Sequence, residues 1–203
     1  MLQRPTPRLI LASASTSRRA LLTAAGLSFA VQPAPIDEAA AKRSARASGA
    51  TAAEAALLLA DLKARHVAQA APDAMVIGAD QILVCDGAWF DKPPDIAAAR
   101  EQLRTLRGRS HQLATAVVCQ AGQTRVWHHI AQPHLTMRDA SDAFIDAYLQ
   151  AEGDDVTGTV GAYRLEGRGA HLFIRVEGEH SAVLGLPLLP LLAFLRQHSV
   201  LMS

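Results

Sequence analysis

The 203-residue sequence has little cysteine, few aromatic residues and no excess of either charge. Its two cysteines, Cys85 and Cys119, lie in apolar segments, which predicts buried thiols in a reducing cytoplasm and not the disulfide framework of a small secreted domain. Lysine and arginine total 20 and aspartate and glutamate total 19, so the formal charge is +1. That balance argues against a broadly basic nucleic-acid-binding protein but is compatible with a local basic pocket.

Long apolar segments are also missing. The longest, residues 182–195, contains two prolines and falls short of the roughly 20 residues that a transmembrane helix needs. The apolar run at residues 9–12 is too short for the core of a signal peptide. We therefore expect a soluble cytoplasmic protein with neither a membrane nor a nucleic acid as partner.

Strand-like and helix-like segments alternate along the chain without a repeat or a convincing linker. This alternation predicts an α/β fold, with a mixed sheet, in one domain spanning residues 1–203. Thr51 and Glu54 form a capping box that begins a long helix, and Asp86-Gly87 predicts a hairpin turn. Residues 33–50, rich in proline, alanine and serine, are predicted to form a loop or a lid.

The other elements follow from apolar runs and caps. A strand at residues 8–12 precedes a helix that ends at Gly26. Asp95 and Ser141 are predicted to cap two helices, and Gly185 precedes the last one. Further strands are predicted at residues 29–32, 75–79, 82–85, 113–120, 124–135 and 171–176.

A cluster of hydroxyl side chains precedes the first helix. The cluster consists of Ser13, Ser15, Thr16 and Ser17. Helix N-termini bind anions, and Arg18 and Arg19 in the first turn are unfavourable there unless an anion such as phosphate supplies negative charge. The alternative is a serine-capped helix with two solvated arginines. Neither a P-loop nor a GxGxxG pattern is present, which excludes those two nucleotide-binding motifs.

Asp80 lies within an apolar strand-like run at residues 76–84. A carboxylate in such a run costs free energy unless a cation or a lysine meets it, and Lys92 follows in the sequence. Asp37 and Glu38 are expected to complete an oxygen-rich site, which suits Mg²⁺ or Mn²⁺ better than zinc. The alternative is that Asp80 only marks a strand end.

A glycine-rich segment at residues 160–167 contains Tyr163 and Glu166. Glycines allow the backbone to approach a ligand, and Tyr163 is a candidate for packing on a base. A glycine-rich hairpin explains the segment equally well.

Together these blocks resemble the Maf family of nucleoside triphosphate pyrophosphatases, over nearly the whole chain. The blocks, in order, are LASASTSRRALL (11–22), DE (37–38), LADLKA (59–64), IGAD (77–80), DKP (91–93), LRGRSH (106–111), GAY (161–163) and GLP (185–187). The resemblance implies a cytoplasmic hydrolase that cuts a nucleoside triphosphate between its α and β phosphates, releases pyrophosphate and requires a divalent cation. It also implies a long bent mixed sheet with two lobes around a cleft, similar to inosine triphosphate pyrophosphatases, and a possible homodimer.

The resemblance also implies roles for individual residues. Asp80 matches the general base that activates water and helps to hold the metal, and Glu38 matches an acidic metal-site residue. The residues that match triphosphate ligands of the family are Ser13, Arg18, Lys63 and Lys92. Hydrolysis at phosphorus needs charge neutralisation and a positioned water, which agrees with this set.

Three positions bear on the choice of base. Ser17, Gln81 and Glu166 differ from the family branch that acts on thymidine and uridine triphosphates, which has Arg, Thr and Gln there. Gln81 and Glu166 resemble the branch that prefers 7-methylguanosine triphosphate, whereas Ser17 matches neither branch and Thr16 replaces a usual proline. A carboxylate at position 166 suits the N1–H and 2-amino edge of guanine.

Two other classes of function stay open at the sequence level. One is a non-catalytic, nucleotide-sensing regulator of cell division, because family members have been linked to the arrest of septum formation. The other is a nucleic-acid-processing protein, against which the near-neutral charge argues.

Overall fold

The computed structural model describes residues 2–202, and a mixed eight-stranded sheet runs through them. The strands are β1 (Arg8–Leu11), β2 (Phe29–Val31), β3 (Ala74–Cys85), β4 (Ala88–Phe90), β5 (Ser110–Ala121), β6 (Thr124–Ala131), β7 (His134–Met137) and β8 (Phe173–Glu177). Their order is β2-β1-β3-β5-β7-β8, with β4 paired to β3 and β6 paired to β5. Strands β1, β2 and β3 pair in parallel, and the other pairs are antiparallel. The α/β class and the mixed sheet are therefore confirmed.

Helices flank this sheet. They are α1 (Thr16–Ala24), α2 (Glu38–Ala47), α3 (Ala52–Ala70), α4 (Ile96–Leu106), α5 (Asp142–Glu152), α6 (His180–Val183) and α7 (Leu188–Gln197), with short 3₁₀ helices at Gly153–Gly158, Val160–Ala162 and Arg168–Leu172. Within residues 2–202, no helix has both the length and the apolar character to cross a membrane.

Helix α3 lies directly on strand β3. A methyl group added at Gly78 would lie 2.2 Å from the Ala60 carbonyl oxygen and 2.8 Å from the Ala64 Cβ, so only glycine permits this approach. The buried face of α3 includes Leu59 and also Lys63. The close packing therefore carries a lysine to the middle of the sheet.

Most predicted caps and turns are confirmed. Thr51 and Glu54 form the capping box at the start of α3, and Asp95 and Ser141 cap α4 and α5. The Asp86-Gly87 turn connects β3 to β4, and both of its residues have positive φ, as a tight hairpin requires.

The prediction of a loop at residues 33–50 is wrong for the helical part, α2. Its sequence is rich in alanine, which favours a helix, and the Asp37 carboxylate accepts a hydrogen bond from the Ala40 amide at 2.8 Å. Asp37 therefore caps the helix, whereas Glu38 begins it and faces the cleft described below.

Three further segments differ from expectation. The strands predicted at residues 75–79 and 82–85 are one strand, β3, because pairing with β5 continues through Asp80 and Gln81. The strand predicted at residues 124–135 is two strands, β6 and β7, separated at Pro133, which has no N–H to donate. The 3₁₀ helices in the glycine-rich segment and the short helix α6 were not predicted.

Candidate active site

Segments that are far apart in the sequence surround one cleft of about 1140 Å³. The loop before α1, helix α2, the middle of β3 and residues 154–166 all contribute to its wall. All nine predicted site residues line it: Ser13, Ser17, Arg18, Glu38, Lys63, Asp80, Gln81, Lys92 and Glu166. The fold thus brings the predicted residues together, while their chemical roles stay predictions.

A buried ion pair forms the floor of the cleft. Asp80 is 4% exposed, and its Oδ1 accepts a hydrogen bond from the Lys63 Nζ at 2.6 Å. The same Nζ lies 2.9 Å from the Glu38 Oε1, so one lysine links two carboxylates. The sequence suggested Lys92 as the cationic partner of Asp80. The direct partner is Lys63 instead, because α3 crosses β3 at this point.

The second oxygen of Asp80 has no partner. Its Oδ2 is buried and makes no hydrogen bond with any residue in the 2–202 range. Glu38 is about half exposed. Partial burial raises the pKa of Glu38, but Lys63, Lys42 and Lys92 outweigh that effect and leave its pKa below the usual value. Glu38 is therefore ionised at neutral pH.

Arg18 is a buried and highly constrained cation. Its Nε donates to the Gly185 carbonyl at 2.8 Å, and its Nη1 donates to the Ala79 carbonyl at 2.8 Å and to the Ser13 Oγ at 3.1 Å. Burial lowers the pKa of Arg18, against the opposing effects of Asp80 and Glu38. Its Nη2 makes no hydrogen bond within the described part of the chain, which leaves that donor for a ligand.

The first turn of α1 presents its backbone to the same cleft. The Ser15 Oγ caps the helix by accepting from the Arg18 amide at 3.3 Å, and the Ser13 Oγ accepts from the Ser15 amide at 3.2 Å. Arg19 is exposed, so the solvated alternative holds for that arginine and not for Arg18. A helix N-terminus beside a buried guanidinium suits a phosphate group.

Two further lysines, Lys92 and Lys42, add to the cationic side chains that line the cleft. Partial burial lowers the pKa of Lys92, and the neighbouring Arg18 lowers it further. Lys42, one turn after Glu38 on α2, forms an ion pair of 2.7 Å with Asp91. Lys42 was not among the predicted site residues; its spacing from Glu38 on one helix face was the available signal.

The three positions expected to select the base lie in the same cleft. The Ser17 Oγ donates to the Glu166 Oε1 at 3.4 Å, although the two residues are 149 positions apart. The Gln81 Nε2 donates to the Thr115 Oγ1 at 2.7 Å and to the Ala182 carbonyl at 2.9 Å. The amide nitrogen of Gln81 is therefore held by the protein.

Tyr163 belongs mainly to the wall and not to an open stacking surface. It is 5% exposed, packs edge-on against Phe173 and shares a 2.8 Å hydrogen bond with the His111 Nε2. Burial raises the pKa of the Tyr163 hydroxyl, and burial lowers the pKa of His111 to about 4. The expectation that Tyr163 packs on a base does not fit this placement.

The acidic groups of the cleft supply some, but not all, of the ligands that a divalent cation needs. Within residues 2–202, no three His, Cys, Asp or Glu side chains are arranged to hold a metal ion by themselves. The unpartnered Asp80 Oδ2 and the nearby Glu38 carboxylate offer two oxygen donors. Mg²⁺ typically takes one or two carboxylates and completes its shell with water and substrate phosphates, so these two residues fit such an ion.

An α/β sheet that carries a buried carboxylate beside four cationic side chains and a helix N-terminus defines a phosphate-binding enzyme cleft. Comparison with known proteins agrees with this class. Residues 8–198 match the family model described as Maf-like protein. The chain therefore belongs to the Maf family.

Similar proteins span nearly the whole chain. A nucleoside triphosphate pyrophosphatase of Granulibacter bethesdensis is 54% identical over 96% of this chain and 98% of its own length. One of Rhodospirillum rubrum with the same name is 49% identical over 97% of this chain and 98% of its own length. A 7-methyl-GTP pyrophosphatase of Rhizobium meliloti is 48% identical over 94% of this chain and 96% of its own length.

Proposed function

We propose that this chain is a nucleoside triphosphate pyrophosphatase that releases a nucleoside monophosphate and pyrophosphate. The observation that carries the proposal is Asp80, a buried carboxylate that has one oxygen held by Lys63 and one oxygen without a partner. That second oxygen is the natural acceptor for a proton from water. The names of the similar proteins support the same reaction.

In this proposal the cationic groups hold the triphosphate. The Nη2 of Arg18, the Ser13 hydroxyl, Lys92 and the first amides of α1 bind phosphate oxygens. Three hydrogen bonds fix Arg18 before substrate arrives, so its donor is already oriented. Preorganised donors stabilise developing charge at little reorganisation cost.

Asp80 then acts on water. A water oxygen attacks the α-phosphorus and forms a new P–O bond while its proton passes to the Asp80 Oδ2. The bond between the α-phosphorus and the bridging oxygen breaks, and pyrophosphate leaves with that electron pair. Lys63 holds the other Asp80 oxygen and thereby fixes the direction of the carboxylate.

A divalent cation, Mg²⁺ or Mn²⁺, is part of the proposal. Asp80 and Glu38 would hold it together with phosphate oxygens, and because the Asp80 Oδ2 has two lone pairs, one would remain to accept the proton from water. When bound, the ion would supply charge neutralisation for the phosphates. Because Asp80 and Glu38 are the only carboxylates within residues 2–202 that we assign to the ion, we expect the metal to bind weakly alone and more tightly with nucleotide.

The proposed base is a guanine, and a 7-methylguanine is the favoured form. Glu166 lies at the cleft wall as a carboxylate, which accepts from the N1–H and the 2-amino group of guanine. One similar protein is named 7-methyl-GTP pyrophosphatase, but others carry the broader name. The homodimer stays a prediction from the family resemblance, and the cytoplasmic location stays a prediction from the composition and from that resemblance.

Pyrophosphate release across a panel of nucleotides tests the function. The panel holds the standard nucleoside triphosphates and 7-methylguanosine triphosphate, each with Mg²⁺ and with Mn²⁺. We expect Asp80→Asn to reduce the turnover number at least about a thousandfold while nucleotide binding persists. The exposed Asp73→Asn is the matched control and should turn over like the parent protein.

Two results would contradict the proposal. Turnover by Asp80→Asn at the parent rate would remove Asp80 from the mechanism. Absence of pyrophosphate release from every nucleotide, combined with measurable nucleotide binding, would favour the nucleotide-sensing regulator instead.

A further inference from the structure

The wall of the cleft around Glu166 is built on a rigid backbone. The Arg164 amide donates to the Tyr148 hydroxyl at 3.2 Å, and the Arg164 carbonyl accepts from the Gly167 amide at 3.1 Å. A methyl group added at Gly169 would lie 2.4 Å from the Arg164 carbonyl oxygen, so the segment folds tightly onto itself. Glu166 therefore projects from a segment that is anchored on both sides.

The side chain of Arg164 lies between acidic groups. Its Nη1 lies 2.6 Å from the Asp155 Oδ2 and 3.7 Å from the Glu152 Oε2, and its Nε lies 3.7 Å from the Glu166 Oε1. Arg164, Asp155 and Glu166 all line the cleft. The Ser17 hydroxyl donates to the same Glu166 oxygen at 3.4 Å. One oxygen of Glu166 therefore has both the Arg164 guanidinium and the Ser17 hydroxyl as neighbours.

Charge separates the two ends of the cleft. Outside residues 154–166 the lining has four cationic side chains and three carboxylates, a formal charge of +1, whereas residues 154–166 present three carboxylates beside one arginine, a formal charge of −2. Triphosphate is attracted to the floor and repelled by that acidic wall. The wall therefore faces the base of a bound nucleotide.

We propose that Arg164 is a positioning residue that selects the base by fixing the Glu166 carboxylate. This inference rests on the proposed function and deepens it. By holding Oε1, Arg164 sets the plane of the carboxylate, so that the carboxylate can pair with both the N1–H and the 2-amino group of a guanine. Without Arg164, the partly exposed Glu166 side chain samples several rotamers and loses that orientation.

Guanosine and inosine triphosphates are the test pair, because they differ only in the 2-amino group. We expect the parent protein to have a higher kcat/KM for guanosine triphosphate than for inosine triphosphate, because its KM for guanosine triphosphate is lower. Arg164→Met should lower the ratio of these two kcat/KM values about tenfold, while the kcat for inosine triphosphate stays within about threefold. Arg168→Met is the matched control, since Arg168 also contacts Glu152, at 3.2 Å, but does not line the cleft.

A double variant distinguishes a positioning role of Arg164 from a merely structural role. Glu166→Gln should lower the same ratio, and Arg164→Met combined with Glu166→Gln should lower it no further, because Arg164 acts through Glu166. A loss of kcat/KM that is equal for both nucleotides, or the same change in Arg168→Met, would overturn the inference. So would a parent protein that treats the two nucleotides alike.

A binding measurement separates the test of base selection from the test of the proposed reaction. Calorimetric titration of the Asp80→Asn protein with each nucleotide reads base selection without turnover. If the parent releases no pyrophosphate but binding selects guanine through Arg164, then the proposed reaction fails and the inference holds. If pyrophosphate is released and Arg164→Met leaves the ratio of the two dissociation constants unchanged, the inference fails and the reaction holds.

Discussion

Lys63→Met is the most informative test of the cleft floor. The substitution keeps the volume of the side chain but removes the ammonium that contacts Asp80 at 2.6 Å. Asp80, 4% exposed, then has no direct cationic partner, because its other oxygen already lacks a hydrogen bond. Removing one member of a buried pair typically costs about 3–5 kcal/mol. We expect the lower end, about 3 kcal/mol, since Arg18 remains close and water can enter from the cleft.

Asp80→Asn should be milder. Lys63 keeps its 2.9 Å contact with Glu38, so its charge is not left alone. We expect a loss of about 1.5–2 kcal/mol, in the lower part of the usual range for a hydrogen bond to a charged group. The double variant, Lys63→Met with Asp80→Asn, removes both charges and should be more stable than Lys63→Met alone by about 1–2 kcal/mol.

Urea unfolding at pH 7, followed by circular dichroism, measures these three free energies of unfolding. Pyrophosphate release measured on the same samples should be lost in all three variants. A Lys63→Met protein that loses less than about 1 kcal/mol would refute the reasoning, because Asp80 would then not depend on Lys63. The reasoning would be refuted equally if the double variant lost as much unfolding free energy as the two single variants together.

Two further predictions concern the wall and the sheet. Because burial lowers the pKa of His111 to about 4 from 6.5, its neutral form stabilises the fold above about pH 6.5, and that stabilisation is lost as the pH falls towards 4. Between pH 7 and pH 5 the parent should lose about 2 kcal/mol more of its unfolding free energy than His111→Gln, and equal losses in urea titrations would contradict this. Gly78→Ala should cost at least about 2 kcal/mol and reduce pyrophosphate release, because the new methyl group meets the Ala60 carbonyl at 2.2 Å. Gly158→Ala, where a methyl group meets nothing within 4 Å, is the stability control, and equal losses in both variants would contradict the packing argument.

Local chemistry made much of the fold predictable. The capping box at Thr51, the caps at Asp95 and Ser141 and the turn at Asp86-Gly87 depend on a few adjacent residues, and all were confirmed. Helix α2 was missed because its flanks are rich in proline and serine, although its centre is a good helix former. The continuity of β3 was missed because a carboxylate and an amide interrupt its apolar pattern, whereas pairing with β5 holds the strand together.

The site could be predicted only in part, because its contacts join distant segments. The cost of burying Asp80 indicated a cationic partner, but nearness in sequence suggested Lys92, and only the crossing of α3 over β3 supplies Lys63. Only the family resemblance indicated Lys63 as a site residue. The contact of Ser17 with Glu166 had no local signal at all, since 149 positions separate the two residues.

The charge of the cleft explains why a nucleotide and a divalent cation are expected to bind together. Its lining holds five cationic side chains against six carboxylates, so its formal charge is −1. The cationic groups are Arg18, Lys42, Lys63, Lys92 and Arg164, and the carboxylates are Glu38, Asp80, Asp91, Asp154, Asp155 and Glu166. A triphosphate adds several negative charges, which the protein alone does not neutralise. A divalent cation held by Asp80, Glu38 and phosphate oxygens would offset part of this negative charge, so each ligand would raise the affinity for the other.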